Sequence, residues 1–210
     1  MIRVSYLNTA KMTEADYQRM ISELSEERAE RAERYQKKED RYLSAGAGHL
    51  LDVALKKMGR EEKSLKYYYN DRGKPYVIGI GFNLSHSGTI AALALGNQEV
   101  GVDVQKIVPV KEELIERVCT EREYAYLSGF SGMAREREFF RLWTAKESAS
   151  KYIGSGLPNP KEYEIDLVKG TFLYRGKTWK ARFMEYPLEG YSLTACSAER
   201  FSHTLTKIEL

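Results

Sequence analysis

The stretch FFRLWTAKESASKYIGSGL, residues 139–157, constrains this chain more than any other. Leu142, Ala145, Ala149 and Ile153 recur at helical spacing and predict an apolar face turned to a core. Trp143, Glu147 and Lys151 lie one turn apart on an adjacent stripe. Gly154 and Gly156 end the helix, and Pro158 prevents a restart. A carboxylate and an ammonium one turn apart, beside a glycine-rich turn, suit a metal ion and the phosphate bound to it. The same two residues on an ordinary helix surface form a pair worth about 0.2–0.5 kcal/mol and nothing more. The helix alone leaves both readings open.

With 210 residues, 42% hydrophobic and 30% charged, the chain has the composition of a soluble globular protein of one large domain or two small halves. Its net charge of +3 is only mildly basic, so charge gives no support for a nucleic-acid partner, and phosphate binding must be argued locally. Cys119 and Cys196 lack metal-ligand spacing and are expected to be small buried residues of a reducing compartment. MIRVSYLN has no signal-peptide character, and the longest apolar run, residues 89–95, is too short to cross a bilayer. A cytoplasmic protein without a membrane partner is expected.

Along the chain, residues 2–7 read as a strand, and Thr13 opens a helix to about Leu24 with Glu14 and Asp16 in its first turn. Ser25 begins a second helical segment, with a break expected at residues 38–40. Arg28, Arg31, Arg34, Lys38 and Arg41 fall on one side of it. Glu27, Glu30 and Glu33 precede Arg31, Arg34 and Lys37 by four residues, the pattern of a solvated, ion-paired helix. Residues 44–58 predict a core helix. Residues 65–69 are strand-like, Asn70 to Gly73 form a turn, and residues 75–80 are extended. FNLSHSG, residues 82–88, reads as a polar loop, and residues 89–95 and 99–104 as a hairpin around Gly96-Asn97. Asp103 and Gln105 share a strand face, where an acid needs partners or a metal. Residues 111–118 are helical, and Thr120 with Glu123 forms a capping box for a helix to Leu127. Strands are expected at 163–167, 171–174, 178–186 and 191–198. The order predicts an α+β fold of two similar α/β halves, residues 1–105 and 106–210.

The succession GKP, FNLSHS, GVDV and WTAKESASKYIGSGL resembles the 4′-phosphopantetheinyl transferases, specifically the larger Sfp-type enzymes, over nearly the whole chain. The resemblance implies a pseudo-twofold monomer with its site between the halves. It implies Mg²⁺-dependent transfer of the phosphopantetheine arm of coenzyme A to a serine of an apo acyl- or peptidyl-carrier protein, releasing 3′,5′-ADP. The carrier would serve fatty-acid, polyketide or nonribosomal-peptide synthesis. Asp103 and Glu147 match the family's metal ligands, and Glu147, or a water it holds, would help deprotonate the carrier serine. Lys151 matches the lysine on the pyrophosphate. Ser85 and His86 match the pair beside the nucleotide, and Lys74 and Pro75 the turn lining the adenine. Arg28, Arg31 and Ser44 match the grip on the 3′-phosphate, which turns the basic helix from a solvated face into a binding one.

These residue types suit the chemistry. Attack at phosphorus demands charge neutralisation, and Mg²⁺ commonly takes one or two carboxylates plus substrate phosphates. Arginine forks suit phosphate oxygens. Many relatives carry a second acid where this chain has Gln105; an amide is a poorer ligand, so weaker Mg²⁺ affinity is expected, with the ion on two carboxylates and an extra water. Gln105 is also the one support for a rival reading, a non-catalytic homologue that binds coenzyme A or a carrier. A nucleic-acid module built on residues 28–41 and Tyr67 to Tyr69 is opposed by the interleaved glutamates. A carrier surface is expected near residues 111–132, where Leu114, Val118, Tyr124 and Leu127 are the apolar candidates.

Overall fold

A computed structural model describes residues 1–210. Strand β1 (Ile2–Asn8) leads into helices α1 (Glu14–Glu23), α2 (Glu26–Glu33) and α3 (Lys38–Lys56). The short strands β2 (Tyr68–Tyr69) and β3 (Pro75–Tyr76) precede β4 (Gly81–Ser87), β5 (Ile90–Gly96) and β6 (Val100–Lys106). Next come α4 (Glu112–Val118), α5 (Glu121–Leu127) and α6 (Gly132–Ile153). The chain closes with β7 (Tyr163–Asp166), β8 (Thr171–Tyr174), β9 (Lys177–Thr178), β10 (Arg182–Glu185), β11 (Tyr191–Ser197) and β12 (Phe201–Ile208).

Local chemistry sets the helix ends. Thr13 with Asp16, and Thr120 with Glu123, form reciprocal capping boxes on α1 and α5. Ser25 Oγ caps α2, and Gly154, at φ +78°, closes α6 by donating to Ser150 O. The break before α3 falls at residues 34–37, just ahead of the expected place. There Arg41 Nε donates to Tyr35 O at 2.8 Å and occupies a carbonyl the broken helix leaves free.

Two mixed or antiparallel sheets lie face to face between two helices. The first has the order β12-β1-β5-β4, and the second β10-β11-β6. Period-two alternation along β5 divides its side chains. Ala91, Leu93 and Leu95 pack with Leu50, Leu51 and Leu55 of α3, while Ile90, Ala92 and Ala94 meet Val100, Val102 and Val104 of β6 between the sheets. Helix α6 covers the second sheet with Leu142, Ala145 and Ala149 buried, the face its spacing predicts. It approaches so closely that a Cβ on Gly101 would lie 1.9 Å from Ser148 O. No helix is long and apolar enough to cross a membrane.

Several expectations are corrected. FNLSHS is not a loop: it is strand β4 at a sheet edge, and its polarity has a partner. Asn83 Oδ1 accepts from Val102 N (2.8 Å), Ser85 Oγ from Val104 N (3.3 Å) and Ser87 Oγ from Lys106 N (3.1 Å). Side chains at alternate positions of one edge strand thus satisfy the N–H groups of another. For the same reason β5 and β6 are not a hairpin. β5 pairs with β4 and β1, whereas β6 crosses to the second sheet and pairs with β11. The strand expected at 178–186 is divided into β9 and β10, and the one at 65–69 shortens to β2. β12 was absent from the expectation; it returns to pair parallel with β1.

Candidate active site

Strands β4 and β6 and the last turns of α6 converge on Asp103, which is 2% exposed. Its Oδ1 accepts from Lys151 Nζ (2.6 Å) and Ser85 Oγ (2.7 Å), and its Oδ2 from Gln105 Nε2 (3.1 Å). Lys151 Nζ also donates to Val102 O and Ser85 Oγ, each at 3.2 Å. The buried acid is therefore satisfied on both oxygens, as burial demands. Gln105 contributes its amide N–H₂ to Asp103, while its Oε1 accepts from Ser87 Oγ at 3.3 Å. It stands beside the acid as a donor.

Glu147, one turn before Lys151, is half-buried on the same side of α6. Burial first, and then the Asp103 carboxylate, push its pKa up, while Lys151 opposes them. No group of three or more His, Cys, Asp or Glu side chains forms an all-protein metal cage. Glu147 on the wall of an open cavity, with the Asp103 carboxylate close enough to disfavour its ionisation, does fit a hard divalent cation that keeps waters and takes phosphate oxygens.

Glu147 and Lys151 share a cavity of about 410 Å³ with Lys74, Pro75, Asn83 and Gly154. Pro75, Asn83 and Leu84 also line an adjoining recess of about 120 Å³, together with Arg28, Arg31, Tyr35, Ser44 and His86. The two spaces abut. Arg28 is only 9% exposed, its guanidinium lies 5.1 Å from the Tyr67 ring centroid, and its Nη2 is buried with no partner. An orphaned buried donor on a cationic recess points to an anionic occupant. His86 opens to solvent with its ring edge-on to Tyr35 at 6.4 Å. The protein around it, and then Lys151, lower its pKa and favour the neutral ring.

The metal- and coenzyme-binding residues expected from the resemblance lie in this cluster or on these two walls. Lys74 differs in detail, because Glu99 already holds its ammonium at 2.5 Å. Asn70, expected only as a turn residue, also belongs to the site. Its Nδ2 donates to Gly154 O (2.9 Å) while its Oδ1 accepts from Lys74 N (2.9 Å), pinning the GKP turn to the end of α6. Asn83 and Ser87 escaped notice, although their period-two spacing with Ser85 was a readable strand signal. Of the apolar carrier-facing candidates, Val118 and Leu127 belong to the core, and Tyr124 is half-buried with its hydroxyl on Glu112. Tyr126 and Met133 are the exposed apolar side chains of that region.

The sequence model of the 4′-phosphopantetheinyl transferase superfamily matches residues 99–196, from just before β6 to the end of β11. The 4′-phosphopantetheinyl transferase HetI of Nostoc sp. is 33% identical over 73% of this chain and 69% of its own length. The 4′-phosphopantetheinyl transferase gsp of Aneurinibacillus migulanus is 31% identical over 85% of this chain and 78% of its own. For the 4′-phosphopantetheinyl transferase Sfp of Bacillus subtilis the identity is 28%, over 71% and 68%.

Proposed function

This chain belongs to the 4′-phosphopantetheinyl transferase superfamily of enzymes, and from its site we propose that it transfers the phosphopantetheine arm of coenzyme A to a serine of an apo acyl- or peptidyl-carrier protein. One observation carries the reading: the carboxylate-lysine cavity adjoins an arginine recess with an unpartnered buried donor. That pairing suits a ligand with a pyrophosphate at one point and a separate phosphate at another. Arg28, Arg31 and Ser44 would take the 3′-phosphate, with His86 beside the nucleotide and Pro75 against its adenine. Lys151 would donate to the pyrophosphate, exchanging part of its contact with Asp103.

Asp103 and Glu147 would hold Mg²⁺, which supplies neutralisation of the pyrophosphate charge when bound. Gln105 then orients Asp103 through its N–H₂. The carrier serine Oγ attacks the phosphorus that bears the pantetheine arm, and the bond from that phosphorus to the bridging oxygen breaks. 3′,5′-ADP leaves with the bridging oxygen, and Glu147 takes the serine proton. We read α3 with the first sheet and α6 with the second as the two halves, with the site in their seam. They are residues 1–105 and 106–210 apart from an exchange of strands, β6 joining the second sheet and β12 the first. The exposed side chains of Tyr126 and Met133 support a carrier surface beside α5 and the start of α6.

Intact-mass measurement of an apo carrier mixed with the protein, coenzyme A and Mg²⁺ tests the reading. Gain of one phosphopantetheine mass, absent with Glu147→Ala, is the expected result. No gain on acyl or peptidyl carriers, with coenzyme A still bound, would replace the enzyme by the non-catalytic binder.

A further inference from the structure

Glu62 lies after α3 on the turn Glu62–Ser64 and is 0% exposed. Its Oε2 accepts from Ser25 N (2.6 Å), and its Oε1 from Ser25 Oγ (2.9 Å) and Tyr67 OH (2.5 Å). Its backbone N–H donates to Oδ1 of Asp52 (3.1 Å), itself buried, and Lys56 Nζ stands 2.7 Å from Asp52 Oδ2. Ser25 is the N-cap of α2, and Arg28 lies in the first turn of that helix. Arg28 Nε is 3.9 Å from Glu62 Oε1, and the guanidinium sits over the ring of Tyr67, whose hydroxyl donates to Glu62.

One buried carboxylate therefore holds the start of α2 and the ring beneath the guanidinium, and is the ion-pair partner of the guanidinium itself. The Nη2 edge is left without a partner on a residue that lines the anion recess. We infer that Glu62 is a positioning residue for this recess: it fixes where the Arg28 guanidinium stands on the recess wall to meet a phosphate on the ligand. It thereby sets the preference for a phosphorylated ligand over the same ligand without that phosphate. The inference rests on reading the recess as the 3′-phosphate site. Arg28 and Arg31 supply the charge there, and Glu62 supplies its placement. A carboxylate that served only to close the core would affect stability and leave this preference alone.

Calorimetric binding of coenzyme A and of dephospho-coenzyme A, which has a 3′-hydroxyl instead, separates the cases. The full chain is compared with Arg28→Ala, Glu62→Gln and Tyr67→Phe, each with its melting temperature. Wild type prefers coenzyme A, and Arg28→Ala loses that preference. Glu62→Gln loses about tenfold of it while dephospho-coenzyme A affinity stays within about twofold. Tyr67→Phe, which keeps the ring but not its bond to Glu62, loses about threefold. An undiminished or stronger preference in Glu62→Gln overturns the inference. If Glu62→Gln does not fold, an undiminished preference in Tyr67→Phe does so. Equal binding of the two ligands by wild type, unchanged in Arg28→Ala, overturns the reading of the recess instead.

Discussion

Lys146 and Lys151 stand on the same helix, and each meets a carboxylate that is 2% exposed at 2.6 Å, yet their surroundings differ in kind. Lys146 is itself 0% exposed and donates to Val118 O, Pro160 O and Tyr163 O at 3.0, 3.0 and 2.7 Å. Its partner Glu123 caps α5 through Thr120 N and accepts from Ile165 N. Every donor and acceptor of that pair is occupied, and it ties α5, α6 and β7 together. Lys151 keeps 27% of its side chain exposed, on a cavity wall beside Glu147. An ion pair closed on all sides serves the fold. One open on a single side can trade a protein partner for a ligand.

Exchanging the fates of the two lysines is the strongest way to break this contrast. Lys151→Ala is expected to lower carrier modification by about a thousandfold, near 4 kcal/mol of barrier, while the protein stays folded. Lys146→Ala leaves Glu123 buried without its counter-charge and is expected to cost about 3–5 kcal/mol of stability, read by urea unfolding. A Lys146 variant of unchanged stability, or a Lys151 variant of unchanged activity, would end the distinction.

Gln105→Glu sharpens it from the open side. A third acid beside Asp103 and Glu147 is expected to tighten Mg²⁺ by about tenfold in a direct titration without substrate. Equal or weaker binding would mean that position 105 acts through Asp103 alone. The smallest effect concerns protons. Because the Glu147 pKa is raised, the folded protein binds more protons than the unfolded chain between the ordinary and the raised value. Stability therefore falls as pH rises through that window, and Glu147→Gln removes the loss. The variant is expected to melt above wild type at neutral pH, and its advantage to vanish at a pH below both values. A constant difference across pH would assign the effect to packing.

The helices were legible because their signals are local. Thr13, Ser25, Thr120 and Gly154 each satisfy or release backbone groups within a turn of themselves. Strand β4 was illegible for the opposite reason. A run as polar as FNLSHS reads as a loop until β6 is beside it to receive Asn83, Ser85 and Ser87. The separation of β5 from β6, and the return of β12 to β1, follow from sheet pairings that no short window contains. The motif residues could be picked out by resemblance, but their partners could not. Glu99 on Lys74, Asn70 on Gly154 and Glu62 on Arg28 carry no motif.

The amino-acid sequence by itself determined the caps that start α1, α2 and α5, the glycine that ends α6, which faces of α3 and α6 turn inward, and which family motifs the chain carries. Caps, glycine turns and apolar periodicity act over a few residues, so a linear reading captures them. Only the tertiary structure decided that Ser85, Asp103 and Lys151 share protons and that Lys146 does not join them. It also decided that Arg28 stands between the Glu62 carboxylate and the Tyr67 ring with its Nη2 unpartnered. Hydrogen bonds and burial depend on atoms brought together from distant parts of the chain, and the charge of a side chain acquires its role from whatever closes, or fails to close, the space around it.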